Sequence, residues 1–473
     1  MIPLETLYLP VRELARQIRT RRLDPVELAE AYLARLESLG PRLGAVVTVT
    51  RERALREARA ARVEIAAGRY RGVLHGIPYG AKDLIAAAGY PTTWGAQPYR
   101  EQGFDQDATV VERLTRAGAV LVAKLATVEL AGGMGYTQAN ASFTGPGRTP
   151  WNPEYWSGGS SSGPGAAVAA ALVPFALGSE TWGSITTPAA FSGVTGLRPT
   201  YGRVSRAGAM ALSWTMDKIG PLCRTADDCG LVLDAIAGPD PRDPSTADRR
   251  YGYDMDTLHG ARRPRIGVLR GIAEGSQAGV RRNLEAALER FTEFTEIVRD
   301  VALPPMPYNA AAGLIIDAEA ASIFEELVES GRVHELTAPE DRIGGYPGQV
   351  VFAKDYLRAL RVRTMAAPAL DAVFADGGFD ALVHPTRATV ALPIGRPFRE
   401  GYPDVRGGGE PIGGAANLVG LPSIALPNGF GENGLPTSLS LTGRAWSEDT
   451  LIGLARTYQE RTDWHLRRPP IDG

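Results

Sequence analysis

Cysteine is nearly absent from this 473-residue sequence, which holds only Cys223 and Cys229. Two cysteines cannot build a disulfide scaffold or a multi-cysteine zinc centre, so two buried free thiols are expected. Long apolar runs are missing as well. The most apolar stretch, Gly165 to Gly178, is mostly alanine, contains Pro174 and falls short of the roughly 20 residues a membrane-spanning helix needs. Neither sign of charge dominates, because 51 basic residues face 53 acidic ones. With no basic stripe carrying interleaved aromatics, the electrostatic footprint of a nucleic-acid binder is lacking. The N-terminal stretch has an amphipathic helical rhythm, not a charged segment followed by an apolar one, and reads as no signal peptide. These absences lead to the expectation of a cytoplasmic monomer or homodimer with a small-molecule partner, no nucleic acid and no membrane.

Lysine is the most informative scarcity. Lys82, Lys124, Lys218 and Lys354 are the only four, and every other residue of the 51 basic ones is arginine. Arginine stays protonated in proteins, whereas a buried lysine can be pushed toward neutrality and serve as a base. Lys82, in HGIPYGAKDLI after an apolar and glycine-rich segment, is the candidate. A structural ion pair with Asp83 is the alternative.

A hydrophobic content of 44% can fill a large core. Residues 10–67 read as two or three amphipathic helices and residues 71–85 as a strand reaching a loop. DATVVERLTRAGA then reads as a helix and VLVAKLA as a buried strand. Further on, GPGAAVAAALV is a helix with Pro164 in its first turn, PFALGSE a strand and SITTPAAF a helix. RPRIGVLR reads as a strand, and long helices follow. FDALVHPT, GLPSIALPNG and GLPTSLSLTG look like core strands. Helices alternating with short apolar strands predict an α/β sheet, and no linker is convincing enough to cut the chain.

The stretch WSGGSSSGPGAAVAAALVPFALGSETWGSITTPAAF, residues 156–191, holds two small-residue loops around an alanine-rich run. A phosphate-cradling loop would need GxGxxG or GxxxxGK[ST], and neither is there. Ser161 satisfies GxSxG, the nucleophile elbow, yet a turn precedes it instead of a strand. His259, His334, His384 and His465 lie downstream, none in a comparable loop. A third reading joins two serines to the lysine. Ser184 stands at the start of a helix, where free N–H groups can face an oxyanion. Ser160 could relay its proton to a neutral Lys82.

These residues, with GAVLVAKLATVEL, the run on to GLRPTYGRVS, MDKIGP, NLVGLPSIALPNG and GLPTSLSLTGR, resemble the amidase signature family of Ser–cisSer–Lys amide hydrolases. The resemblance covers about residues 70–225 and 410–470. It implies a large single domain with a central mixed, twisted β-sheet covered by helices on both faces. Within it lie a helical part at about 1–67, a core at 70–225, a variable pocket region at 239–400 and a return to the core at 405–473. By the same resemblance Lys82 is the base, Ser160 the bridging serine after a cis Gly159–Ser160 peptide, and Ser184 the nucleophile. The backbone amides of Thr181, Trp182, Gly183 and Ser184 form the oxyanion hole, and no metal or cofactor is called for. Gly132, Gly133, Met134 and Tyr136, together with Trp182 and the 310–360 region, are expected to shape the acyl pocket.

Four positions depart from the common pattern: Ser162 replaces a glycine, Glu180 an aspartate, Trp182 a glycine and Thr186 a frequent arginine. The Trp182 ring either packs under the loop, the reading favoured on sequence, or enters the pocket. Loss of the arginine argues against a small anionic substrate. The expected activity is hydrolysis of a carboxylic amide C–N bond, with esters or carbamates as further substrates. The alternative is an A-type subunit of a tRNA-dependent amidotransferase that releases ammonia from glutamine.

Overall fold

Eleven strands of one sheet take residues from every part of the chain. The computed structural model describes residues 2–253 and 262–471. In chain order the strands are β1 (Val46–Val49), β2 (Pro78–Lys82), β3 (Val120–Leu125), β4 (Phe175–Glu180), β5 (Thr195–Arg198), β6 (Lys218–Cys223), β7 (Arg265–Leu269), β8 (Glu296–Val301), β9 (Ala381–Pro385), β10 (Ser423–Phe430) and β11 (Pro436–Thr442). Their spatial order is β1-β3-β2-β4-β6-β5-β10-β11-β9-β7-β8. β2 runs parallel to β3 and β4, and β7 to β8 and β9, while the pairs from β4 across to β9 are antiparallel. The protein is therefore one large α/β domain around a mixed sheet.

Local sequence explains the elements around the site. All six residues of β3, VLVAKL, are buried, which is why it reads as a continuous apolar run and not as an alternating one. Helix Pro25–Leu39 starts on Asp24, whose carboxylate accepts from the Val26 and Glu27 amides, with Pro25 in the first turn. This helix and helix Arg51–Ala66 pack on β3. Residues 10–67 thus hold three helices of useful length, as expected, and also the edge strand β1.

The parallel pairing of β2 with β4 sets Gly80 opposite Ala176 and Ala81 opposite Leu177. Their carboxyl ends therefore open on the same edge of the sheet. Lys82 ends β2, and the 181–185 loop follows β4 into helix Thr186–Ser192. Cys223 and Cys229 are buried free thiols. Among the described residues, no helix is long and apolar enough to cross a membrane.

Candidate active site

Lys82 is completely buried at the end of β2. Its Nζ lies 2.7 Å from Ser160 Oγ and 3.0 Å from Ser179 Oγ. Among the described residues, no carboxylate forms an ion pair with it. Asp83 faces Lys124 instead, with a 2.8 Å contact between two fully buried side chains. Thr93 donates its amide and its hydroxyl to the same carboxylate. Desolvation therefore dominates at Lys82 and lowers its pKa to about 7, against a weaker upward pull from Asp217 and Glu180. This environment answers the ion-pair alternative.

Ser160 lies just before helix Ser162–Ala169, and the Gly159–Ser160 peptide is cis. The Ser161 amide donates to the Ser184 carbonyl at 3.2 Å, which ties the two serine loops together. Ser161 itself is buried, and its hydroxyl exchanges hydrogen bonds with the Ser179 backbone. It does not line the cavity on which Ser184 opens, and the preceding segment is not a strand, so the nucleophile-elbow reading has no support. Burial holds the His384 pKa down at about 4, its ring bonded to Thr442 and Pro385. His465 is likewise lowered to about 4. His259 lies outside the described residues.

The loop before Ser184 is held by Glu180. One of its carboxylate oxygens accepts from the Ile185 and Thr186 amides and the Thr186 hydroxyl. The other pairs with Arg198 on β5 at 2.7 Å. Burial opposes the charge, but Arg198, Lys218 and these hydrogen bonds hold the carboxyl at about 2. Gly183 has φ +83°, a left-handed turn that glycine adopts without strain. The amides of Trp182, Gly183 and Ser184 find no acceptor among the described residues. Buried polar groups are normally paired, so three consecutive free donors beside a serine have the form of an oxyanion site. Lys218 Nζ fixes the Thr181 carbonyl, and Asp217 takes the Thr181 hydroxyl.

Ser184 opens on a cavity of about 320 Å³. Gly132, Tyr136 and Trp182, three of the residues proposed to shape the acyl pocket, line it together with Thr181, and with Trp156, Phe398 and Arg387, which sequence reasoning missed. Gly133 and Met134 do not line it. A Cβ on Gly133 would strike Leu212 and Phe324, and Met134 is buried against Gly344 and Gly345. Of the 310–360 region, only Ile316 lines the wall. The Trp182 ring, 37% exposed, stands in the cavity opposite Gly413 and does not pack under the loop. Side chains from residues 387–398 sit more than 200 positions from Ser184, and only the charge of Arg387 between apolar strand segments offered a signal. Among the described residues, no cluster of three metal-ligating side chains occurs.

A serine beside free backbone donors, with a desolvated lysine behind a second serine, defines an acyl-transfer type of site. The Amidase family matches residues 27–452, and the chain belongs to it. It is 36% identical to the A-type subunit of the glutamyl-tRNA(Gln) amidotransferase of Methylococcus capsulatus, over 97% of this chain and 98% of the relative. The corresponding protein of Carboxydothermus hydrogenoformans is 35% identical, over 99% and 100%. A solved peptide amidase from Stenotrophomonas maltophilia superposes with a TM-score of 0.87 at 34% identity, covering 98% of both chains. The chain is thus an amidase signature enzyme acting on C–N amide bonds.

The two amidotransferase relatives overturn one expectation. They are subunits of an enzyme named for a transfer RNA, so a monomer or homodimer confined to a small molecule, without nucleic acid, does not stand. The physical reason is that balanced charge describes one chain alone. An assembly can carry its nucleic-acid contacts on other subunits.

Proposed function

We propose that this chain cleaves a carboxamide through a Ser184 acyl-enzyme, as the A-type subunit of an amidotransferase that draws ammonia from glutamine for a tRNA-bound substrate. The observation that carries the chemistry is Lys82, fully buried, without an ion-pair partner among the described residues and 2.7 Å from Ser160 Oγ. With a pKa of about 7, much of Lys82 is neutral at ordinary pH. It takes the Ser160 proton as Ser160 takes that of Ser184, and Ser184 attacks the carbonyl. The negative oxygen then rests on the amides of the 181–184 loop. The same relay returns the proton to the departing nitrogen, and water releases the acyl group. The multi-subunit setting is supported by the end-to-end match to the two amidotransferase relatives, and a cytoplasmic location accords with it.

A second reading, a stand-alone amidase with esters or carbamates among its substrates, is favoured by Trp182 inside the cavity and by the peptide amidase likeness. Ammonia release from glutamine, measured for the chain alone and after affinity purification with its co-purifying proteins, separates the two. Glutamine turnover that depends on a co-purified protein supports the first. Efficient cleavage of simple amides by a single species, with no glutaminase activity in any fraction, supports the second. Both require that a fluorophosphonate label Ser184, and a label that maps to Ser161 would sink the proposed chemistry.

A further inference from the structure

Arg387 stands out among the charged residues because it has no hydrogen-bond or ion-pair partner among the described residues. It follows β9 closely, and its backbone is pinned on both sides. The Thr386 amide donates to the Ser438 carbonyl at 2.9 Å, and the Ala388 carbonyl accepts from Gln277 at 2.9 Å. The Thr386 hydroxyl also bonds to Ser438 and Ser440. The Arg387 side chain lines the same cavity as Ser184, Trp182 and Tyr136. No acidic residue lines that cavity among the described residues. Among the described residues Arg387 makes no hydrogen bond, ion pair or ring contact, whereas the buried Arg53, Arg198 and Arg203 are each paired with a carboxylate.

Arg387 is an exposed residue that lines the cavity. Enclosure lowers the guanidinium pKa by desolvation, and Tyr136 is its one electrostatic neighbour of note. A guanidinium that lines the cavity without a partner among the described residues is available to a ligand that brings the counter-charge.

We infer that Arg387 makes this pocket select amides that carry a carboxylate, whose two oxygens it grips while the amide carbonyl lies at Ser184. The planar fork of the guanidinium matches a carboxylate through paired N–H···O bonds. Thr186, where an arginine is frequent in this family, turns its hydroxyl to Glu180 and supplies no charge. The positive charge of the pocket has therefore moved to a different strand end, and the sequence argument against an anionic substrate does not hold. The inference rests on the reading of the cavity as the substrate site of Ser184.

The test compares amides that differ only in charge. Succinamate against butyramide places the carboxylate on the acyl side, and N-butyrylglycine against N-ethylbutyramide places it on the amine side. In one of the two pairs, wild type should favour the anionic member, and Arg387→Met should lower that ratio of kcat/KM by roughly 10- to 100-fold, the value of a charge-assisted contact. Arg387→Lys should keep part of the ratio and guards against a folding defect in the first variant. Calorimetric binding of succinamate and N-butyrylglycine to Ser184→Ala reads the same contact without turnover. Loss of fluorophosphonate labelling at Ser184 with Arg387-dependent binding retained would sink the catalytic reading and leave this one standing. Equal preference for both members of both pairs, or a ratio unchanged in Arg387→Met, would overturn it.

Discussion

Lys82 at the end of β2 and Lys124 in the neighbouring β3 are equally buried and differ in what faces them. Desolvation lowers both pKa values. At Lys124 the Asp83 carboxylate, 2.8 Å away, pulls in the opposite direction, and Thr92 and the Pro91 carbonyl complete its hydrogen bonds. Among the described residues, Lys82 hydrogen-bonds only to the hydroxyls of Ser160 and Ser179. Burial with a counter-charge gives a brace between two strands, and burial without one gives a base. Asp83 sits next to Lys82 in sequence, yet serves the other lysine.

The largest expected effect falls on catalysis. Lys82→Arg keeps the charge and removes the ability to deprotonate, so amide turnover should drop on the order of 10²-fold or more, about as far as in Lys82→Ala. An active Arg variant would erase the distinction between the two lysines. Breaking the brace should act on stability instead. Lys124→Met strands the buried Asp83 carboxylate and should cost about 3–5 kcal/mol in urea unfolding. Adding Asp83→Leu removes the stranded charge and should recover much of that loss, with the coupling read from the double-mutant cycle.

The pH profile sharpens the comparison further. Because Lys82 must be neutral, kcat/KM should rise as pH increases through about 7 and then level off, a lower limb than an ordinary lysine near 10 would give. The linked stability has a definite sign. A lysine with a depressed folded pKa contributes stability that is full above its unfolded value near 10.5 and is lost as pH falls through 7. Unfolding free energy measured from pH 7 to 10 should therefore climb in wild type and climb less in Lys82→Met.

A carboxylate shows the same rule in reverse and carries the smallest effect. Asp341 is buried, and no donor reaches either of its oxygens. Burial, the adjacent Glu129 carboxyl and Glu340 raise its pKa to about 9. A raised pKa contributes stability that is present below the unfolded value near 3.8 and is lost as pH rises through 9. Asp341→Asn should remove this decline, and melting temperatures of the two proteins should diverge as pH is raised from 6 to 9.

The residues proposed to react were readable because their motifs are local: HGIPYGAKDLI carries Lys82, and residues 156–191 carry both serines and the donor loop. Much of the cavity was not, because its wall also comes from Trp156, Arg387, Leu392 and Phe398. Only tertiary packing brings such distant positions together. Four strands, β1, β5, β6 and β8, escaped the sequence reading, two of them for plain local reasons. The four residues of β1 are all half-buried and show no alternation, and KIGPLC, which forms β6, carries a Gly-Pro step that reads as a turn. Glycine-rich texture also misled at Gly133 and Met134, which serve packing beside the cavity.

Glu180 joins the loop before Ser184 to Arg198 on β5, so the acyl-transfer apparatus is clamped by an ion pair that touches none of the cavity wall supplied by residues 387–398. The 387–398 part of the wall can therefore change without disturbing that clamp, whereas Thr181 and Trp182 tie the Ser184 loop itself to the cavity.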